Sequence, residues 1–294
     1  MELFRALALF AEPPTPESES VARALSLGAL PQASEYAELF VFQLYPYASV
    51  YLGAEGMLGG AARDFVAGFW RALQQTPPPE PDHLSVMLAL YAELAEREAG
   101  ETTDLRRESW QRARTAFLWE HLLSWLPVYL SKLIEIAPPF YRLWATTLLN
   151  ALLEEARATQ PQQPQLSLHL REALQLVDPR DGETGEFLQS LLSPARSGMI
   201  LVRSDLSRAA RALELGLRIG ERKYVLESLF AQDAHAVLGW LAREAEDWRT
   251  CHRRQRDSLG AVAQAWEAKA NASAILLKEL RAAIETDGEE KFSA

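Results

Sequence analysis

Glu80-Pro81-Asp82-His83 puts two carboxylates, an imidazole and a ring-locked backbone next to one another, just ahead of the apolar run Leu84 to Leu94. Carboxylates accept backbone N–H groups or pair with basic side chains, and an imidazole can donate or accept. On this reading the tetrad is a polar hook at the lip of a groove. It also has a plain structural use. Proline suits a first helical turn, where its missing N–H would have no partner, and an acidic residue beside it sits against the positive end of the helix dipole. The local sequence leaves both readings open.

Two aromatic clusters accompany the tetrad. Tyr45-Pro46-Tyr47-Ala48-Ser49-Val50-Tyr51 gathers three tyrosines, each with apolar area and a polar tip, which suits either an interface or a loop folded over a core. In His121-Leu122-Leu123-Ser124-Trp125-Leu126-Pro127, His121 and Trp125 are four apart and share a helical face, as a packed core pair would. Catalytic and metal sites find no support. Cys251 and His252 are adjacent and diverge on a helix, and no other His or Cys pair has ligand spacing. The glycines Gly53, Gly56, Gly59 and Gly60 lack the Gly-Lys-Ser/Thr ending of a phosphate loop, and no nucleophile elbow occurs. Any carboxylate pair chosen as acid and base would be arbitrary. The expectation is no enzyme and no cofactor.

The elements that must position these residues are helical. Tyr36, Leu39, Phe40 and Gln43 recur at helical spacing within Ser34 to Leu44, and Tyr45-Pro46-Tyr47 ends that run. Further helices are expected over Ala61 to Leu73, with Trp70 on the apolar face, over Leu84 to Leu94, and over Trp110 to Leu126 with a kinked continuation from Val128 to Ile136. Another spans Phe140 to Ala156. Tyr47 to Leu52 reads as loop because glycines follow closely. No alternating pattern predicts a sheet. The fold class expected is all-α, a compact orthogonal helical bundle with an additional C-terminal helical segment.

At 294 residues and 48% hydrophobic composition the chain can build a substantial core. A net charge of −10 argues against non-specific binding to nucleic acid or anionic lipid and favours a basic partner segment. One cysteine permits no internal disulfide, which fits a reducing, cytoplasmic location. The N-terminal stretch does not read as a secretory signal, and no run is long and uncharged enough to span a bilayer.

Composition shifts at the polar, proline-punctuated stretch Thr159 to Gln165, and Asp178 to Gly185 is irregular. The domains expected are 1–160, an irregular linker over 161–200, and a helical extension over 201–294. In the extension, Ser204 is expected to cap a helix through Leu215, Lys223 to Phe230, Ala234 to Trp248 and Ser258 to Ile284 read as helices, and the last ten residues read as frayed. A helix-turn-helix over Asp205 to Phe230 is the rival reading, which would make the chain a DNA-binding regulator. Against it stand the acidic balance and an apolar second helix.

Taken in order, Tyr36-x-x-Leu39-Phe40, Pro46-Tyr47-x-Ser49-x-Tyr51, Glu80-Pro81-Asp82-His83, His121-Leu122-x-x-Trp125-Leu126-Pro127 and Phe140-Tyr141 make the first 160 residues resemble the TorD-type chaperones, or redox-enzyme maturation proteins. The resemblance implies an all-helical cytoplasmic chaperone that binds the apo catalytic subunit of a molybdenum-containing oxidoreductase, often at its twin-arginine signal peptide. It implies client binding by Glu80, Pro81, Asp82 and His83. Tyr47, Tyr51, Trp70, His121, Trp125 and Leu126 are expected near the same groove. It leaves open the client's identity, dimerisation and the role of the C-terminal segment.

Overall fold

The structure, a computed structural model, describes residues 2–54, 56–159 and 166–292. It is all-helical, with no strand among the described residues. The chain divides into two units, Met1–Gly53 with Met57–Arg171, and Ala54–Gly56 with Glu172–Ala294. Residues 160–165, within the proline-punctuated stretch, lie outside the described residues.

The first unit opens with α1 (Glu2–Ala8) and α2 (Ser18–Ala24). Neither has enough periodic apolar residues to announce itself. The Trp144 indole donates to the Leu7 carbonyl at 2.9 Å, and the Phe4 ring meets Tyr91 edge-on at 5.1 Å. Then come α3 (Ala33–Tyr36), which widens into a π-helical stretch Ala37–Gln43, α4 (Ala48–Leu52), α5 (Gly60–Ala72) and α6 (Leu84–Gly100). The next helix, α7 (Asp104–Ala116), starts earlier than its apolar pattern and widens into a second π-helical stretch, Phe117–Leu122. Pro127 does not kink a continuous helix. It sits in the first turn of a new one, α8 (Leu126–Ile136), where no N–H is missed. α9 (Pro139–Ala158) and α10 (Leu168–Glu172) follow. Arg114 ties three helices together: its guanidinium meets Glu98 of α6 at 2.6 Å and Glu155 of α9 at 2.8 Å, and the Tyr91 hydroxyl donates to Glu155.

The stretch expected as loop, Tyr47 to Leu52, is the clearest correction. Ala48–Leu52 is helical and all five residues are buried. A helix this short is not stable by itself. Its first two N–H groups are satisfied from 33–34 residues away: Ala48 donates to the Asp82 carbonyl at 3.0 Å and Ser49 to the Asp82 carboxylate at 3.1 Å.

The second unit comprises α11 (Thr184–Leu191), α12 (Pro194–Ser197), α13 (Arg203–Ala212), α14 (Arg222–Gln232), α15 (Ala234–Arg254), α16 (Arg256–Leu259) and α17 (Ala261–Phe292). Two of these helices lie within the span expected as irregular. The Val202 N–H is taken by the Asp205 carboxylate at 2.9 Å, not by Ser204. The helix stops at Ala212, two residues before Glu214 adopts a φ of 57°. α17 continues to Phe292, through the stretch expected to fray. α15 and α17 run antiparallel, since Arg253 meets Glu267, Glu246 meets Lys278 and His235 meets Glu285.

Gly198 locks α12 against α17. It has a φ of 72°, its carbonyl accepts from His252 Nε2 at 2.9 Å, and an added Cβ would lie 2.2 Å from the Ala270 nitrogen. Both the left-handed backbone and the close approach demand glycine. Gly198→Ala is expected to destabilise the second unit by about 3 kcal/mol or more, read as a lowered melting transition in calorimetry of the full chain.

Candidate client-binding site

The tetrad is built into the fold by its backbone. The segments 46–48 and 82–84 form a single antiparallel bridge between Tyr47 and His83, in which Leu84 donates to the Pro46 carbonyl at 2.8 Å and Ala48 to the Asp82 carbonyl at 3.0 Å. Asp82 is 2% exposed and Pro81 is buried. Asp82 therefore serves the first turn of α4 and presents no carboxylate to a partner in this conformation. His83 is the N-cap of α6, with Nδ1 3.3 Å from the Ser85 N–H.

Around this frame lie the exposed groups. Tyr47 donates its hydroxyl to Glu80 Oε2 at 3.0 Å and meets the His83 ring edge-on at 4.8 Å. Burial first, then the Glu80 hydrogen bond, holds the Tyr47 phenol well above the ordinary tyrosine range, so it stays a donor. Glu12 reaches in from the end of the N-terminal helical segment. The Ser85 hydroxyl donates to it at 2.5 Å and also lies 2.7 Å from His83 Nδ1. Burial lowers the His83 pKa, and the carboxylates of Glu12, Glu80 and Asp82 oppose that shift. Glu12 and Glu80 are exposed, so the lip is acidic.

The aromatic residues expected beside the hook are mostly core. Tyr51 is 2% exposed, stacks on Trp125 with centroids 5.3 Å apart, and donates its hydroxyl to the Tyr45 carbonyl. Trp125 and Leu126 are fully buried. His121 is wrapped by Phe65, Phe69 and Phe117 at 4.6–5.2 Å, and burial drives its pKa down to about 3. Its ring partners differ from those of Trp125, because the π-helical turn and the break at Leu123–Trp125 undo simple four-residue spacing. Trp70 is half-buried on α5. The structure thus brings Tyr47, Glu80 and His83 together, with Glu80 exposed, Tyr47 half-buried and His83 buried, and it buries Tyr51, His121, Trp125 and Leu126.

What the sequence pattern missed is an exposed apolar strip just ahead of the hook. Val41 is 45% exposed, Phe42 50% and Tyr45 37%. They leave the π-helical stretch and lead into Pro46, with Glu38 exposed beside them. Apolar residues at 36, 39 and 40 fill the inner face, so a further Val-Phe pair in the same run has to point outward. The basic residues of the second unit are largely neutralised locally: Arg208 pairs with Glu244 and Asp205, and Arg253 and Arg256 with Glu267. The second helix of the supposed helix-turn-helix buries Val225, Leu226 and Leu229.

The geometry separates structural from surface carboxylates. Asp82→Ala is expected to cost about 1–3 kcal/mol in urea denaturation, since it removes an acceptor from a buried N–H. Glu80→Gln should stay within about 0.5 kcal/mol. The acid limb of stability has a predictable sign as well. His121 titrates near 6.5 when unfolded and at about 3 when folded, so the unfolded chain binds the extra proton between those values. Stability is expected to fall as pH drops from 6.5 towards 3, by up to about 1.4 kcal/mol per pH unit from this residue. His252, lowered to about 4 by burial, acts in the same direction. His121→Phe should flatten the slope without abolishing it, measured as melting temperature against pH.

Among the described residues no helix is long and apolar enough to cross a membrane, and no group of three or more His, Cys, Asp or Glu side chains could hold a metal ion. No curated protein matches the chain. Residues 8–130 match the family described as nitrate reductase delta subunit, a span that holds the exposed strip, the bridge, the tetrad and the His121–Pro127 segment. Over this span, which is less than half of the chain, the sequence is similar to the nitrate reductase delta subunit family.

Proposed function

We propose that the chain holds the apo catalytic subunit of a molybdenum-containing oxidoreductase in the cytoplasm by gripping its twin-arginine signal peptide. Such a peptide has a basic start and an apolar middle. The observation that carries the reading is an acidic lip at Glu12, Glu38 and Glu80 beside an exposed apolar strip at Val41, Phe42 and Tyr45. The carboxylates supply charge-assisted acceptors for guanidinium groups, and the strip takes aliphatic side chains. Tyr47, fixed by Glu80 and His83, follows Tyr45 of the strip by two residues in the chain. Asp82 and Pro81 act as positioning residues: they hold the backbone that presents the hook. His83 orients Tyr47 and caps α6.

The reading is tested by titrating a fluorescent twin-arginine signal peptide into the purified chain. Glu80→Lys and Phe42→Glu are expected to weaken binding about tenfold or more each, with helical circular dichroism unchanged, because both side chains are exposed. Binding should also weaken with added salt. Unaltered affinity in both variants would overturn it.

A further inference from the structure

The second unit carries an apolar tip for which the proposed client-binding role has no use. The loop Gly216-Leu217-Arg218-Ile219-Gly220 joins α13 to α14. Ile219 is 99% exposed, Leu217 48% and the following Tyr224 50%. Side chains this apolar left this open mark a docking surface when they cluster. The loop is not slack. The Gln232 amide clamps its base, accepting from the Gly216 N–H at 2.7 Å and donating to the Gly216 carbonyl at 2.9 Å. Gly220 lies against the Tyr224 ring, where a Cβ would come within 2.7 Å. The tip is therefore a built projection.

Its charge is the reverse of the chain's. Between Arg211 and Tyr224 lie Arg211, Arg218, Arg222 and Lys223 against Glu214 and Glu221. Arg211 and Arg218 are exposed, and neither has an ion-pair partner among the described residues. The tip thus offers a basic, apolar knob. The chain also owns a surface of the opposite kind, the strip Val41, Phe42 and Tyr45 edged by Glu38 and Glu80. An anionic bilayer would also accept a basic apolar tip, but a chain of net charge −10 is repelled from it at longer range, whereas a second copy presents a matched acidic apolar site.

We propose that the 216–220 loop of one copy docks on the Val41–Tyr45 strip and Glu80 lip of a second copy. The contact is between two different patches, so it joins copies head to tail, the loop of one occupying the hook of the next. The competition this creates with client rests on the reading above; the docking itself does not. The loop is then an internal stand-in for client, released when a signal peptide claims the hook.

Sedimentation velocity across a concentration series tests the docking. The wild-type chain is expected to show reversible, concentration-dependent self-association, starting with dimers, that weakens with salt. Ile219→Glu, Arg218→Glu and Phe42→Glu should each raise the dissociation constant about tenfold or more. Because Ile219 and Phe42 are exposed, circular dichroism should be unchanged. An equal mixture of Ile219→Glu and Phe42→Glu chains should recover dimer beyond either alone, since one intact loop can meet one intact hook. Single-chain mass at every concentration overturns the proposal, as does a dimer that none of the variants weakens, including one formed on liposomes only. Added signal peptide should dissociate the wild-type dimer. If the variants behave as expected and the peptide does nothing, the docking stands and the client reading fails. If the peptide binds a chain that is always monomeric, the reverse holds.

Discussion

A carboxylate that is 2% exposed has to find donors, and Asp82 finds one on the opposite side of a chain reversal. Its side chain takes the Ser49 N–H while its own carbonyl takes that of Ala48. Those two bonds supply the start that a five-residue helix cannot supply for itself. They also hold Tyr47 beside His83 and bring Glu80 within reach of the Tyr47 hydroxyl. The aromatic wall behind, with Tyr51 on Trp125 and Tyr129, is assembled on the same short helix. The pairing of Tyr47 with Glu80 depends on this buried join.

The long helices were legible in the sequence because their apolar spacing is dense: α6 and α9 extend the predicted spans by a few residues at their ends. Elements that depend on distant partners were not. Ala48–Leu52 reads as loop from its glycine-rich surroundings, since its capping group comes from Asp82. The segment Ser18–Ala24 is too polar to declare a face. Ser204 looked like a cap by type, yet Asp205 one residue later takes the N–H.

The site was legible in part for a related reason. Glu80 and Tyr47, singled out by residue type, meet because their segments pair across the bridge. It could not tell a groove-lining aromatic from a core one. Trp125 and Leu126 lie wholly inside, while Val41 and Phe42, unremarkable by motif, lie outside. Two π-helical stretches explain much of this. Each adds a wider turn, so residues beyond it rotate away from the face that regular spacing assigns, and such turns often accompany functional surfaces.

The join between the Pro46–Ser49 and Asp82–Leu84 segments also orders events during synthesis. A contact across 33 residues forms only after the intervening chain exists and its loop has closed. As the polypeptide emerges, the stretch around Ser49 stays uncommitted until Leu84 has left the ribosome. The acidic lip is thus completed late, by the arrival of the α6 N-terminus.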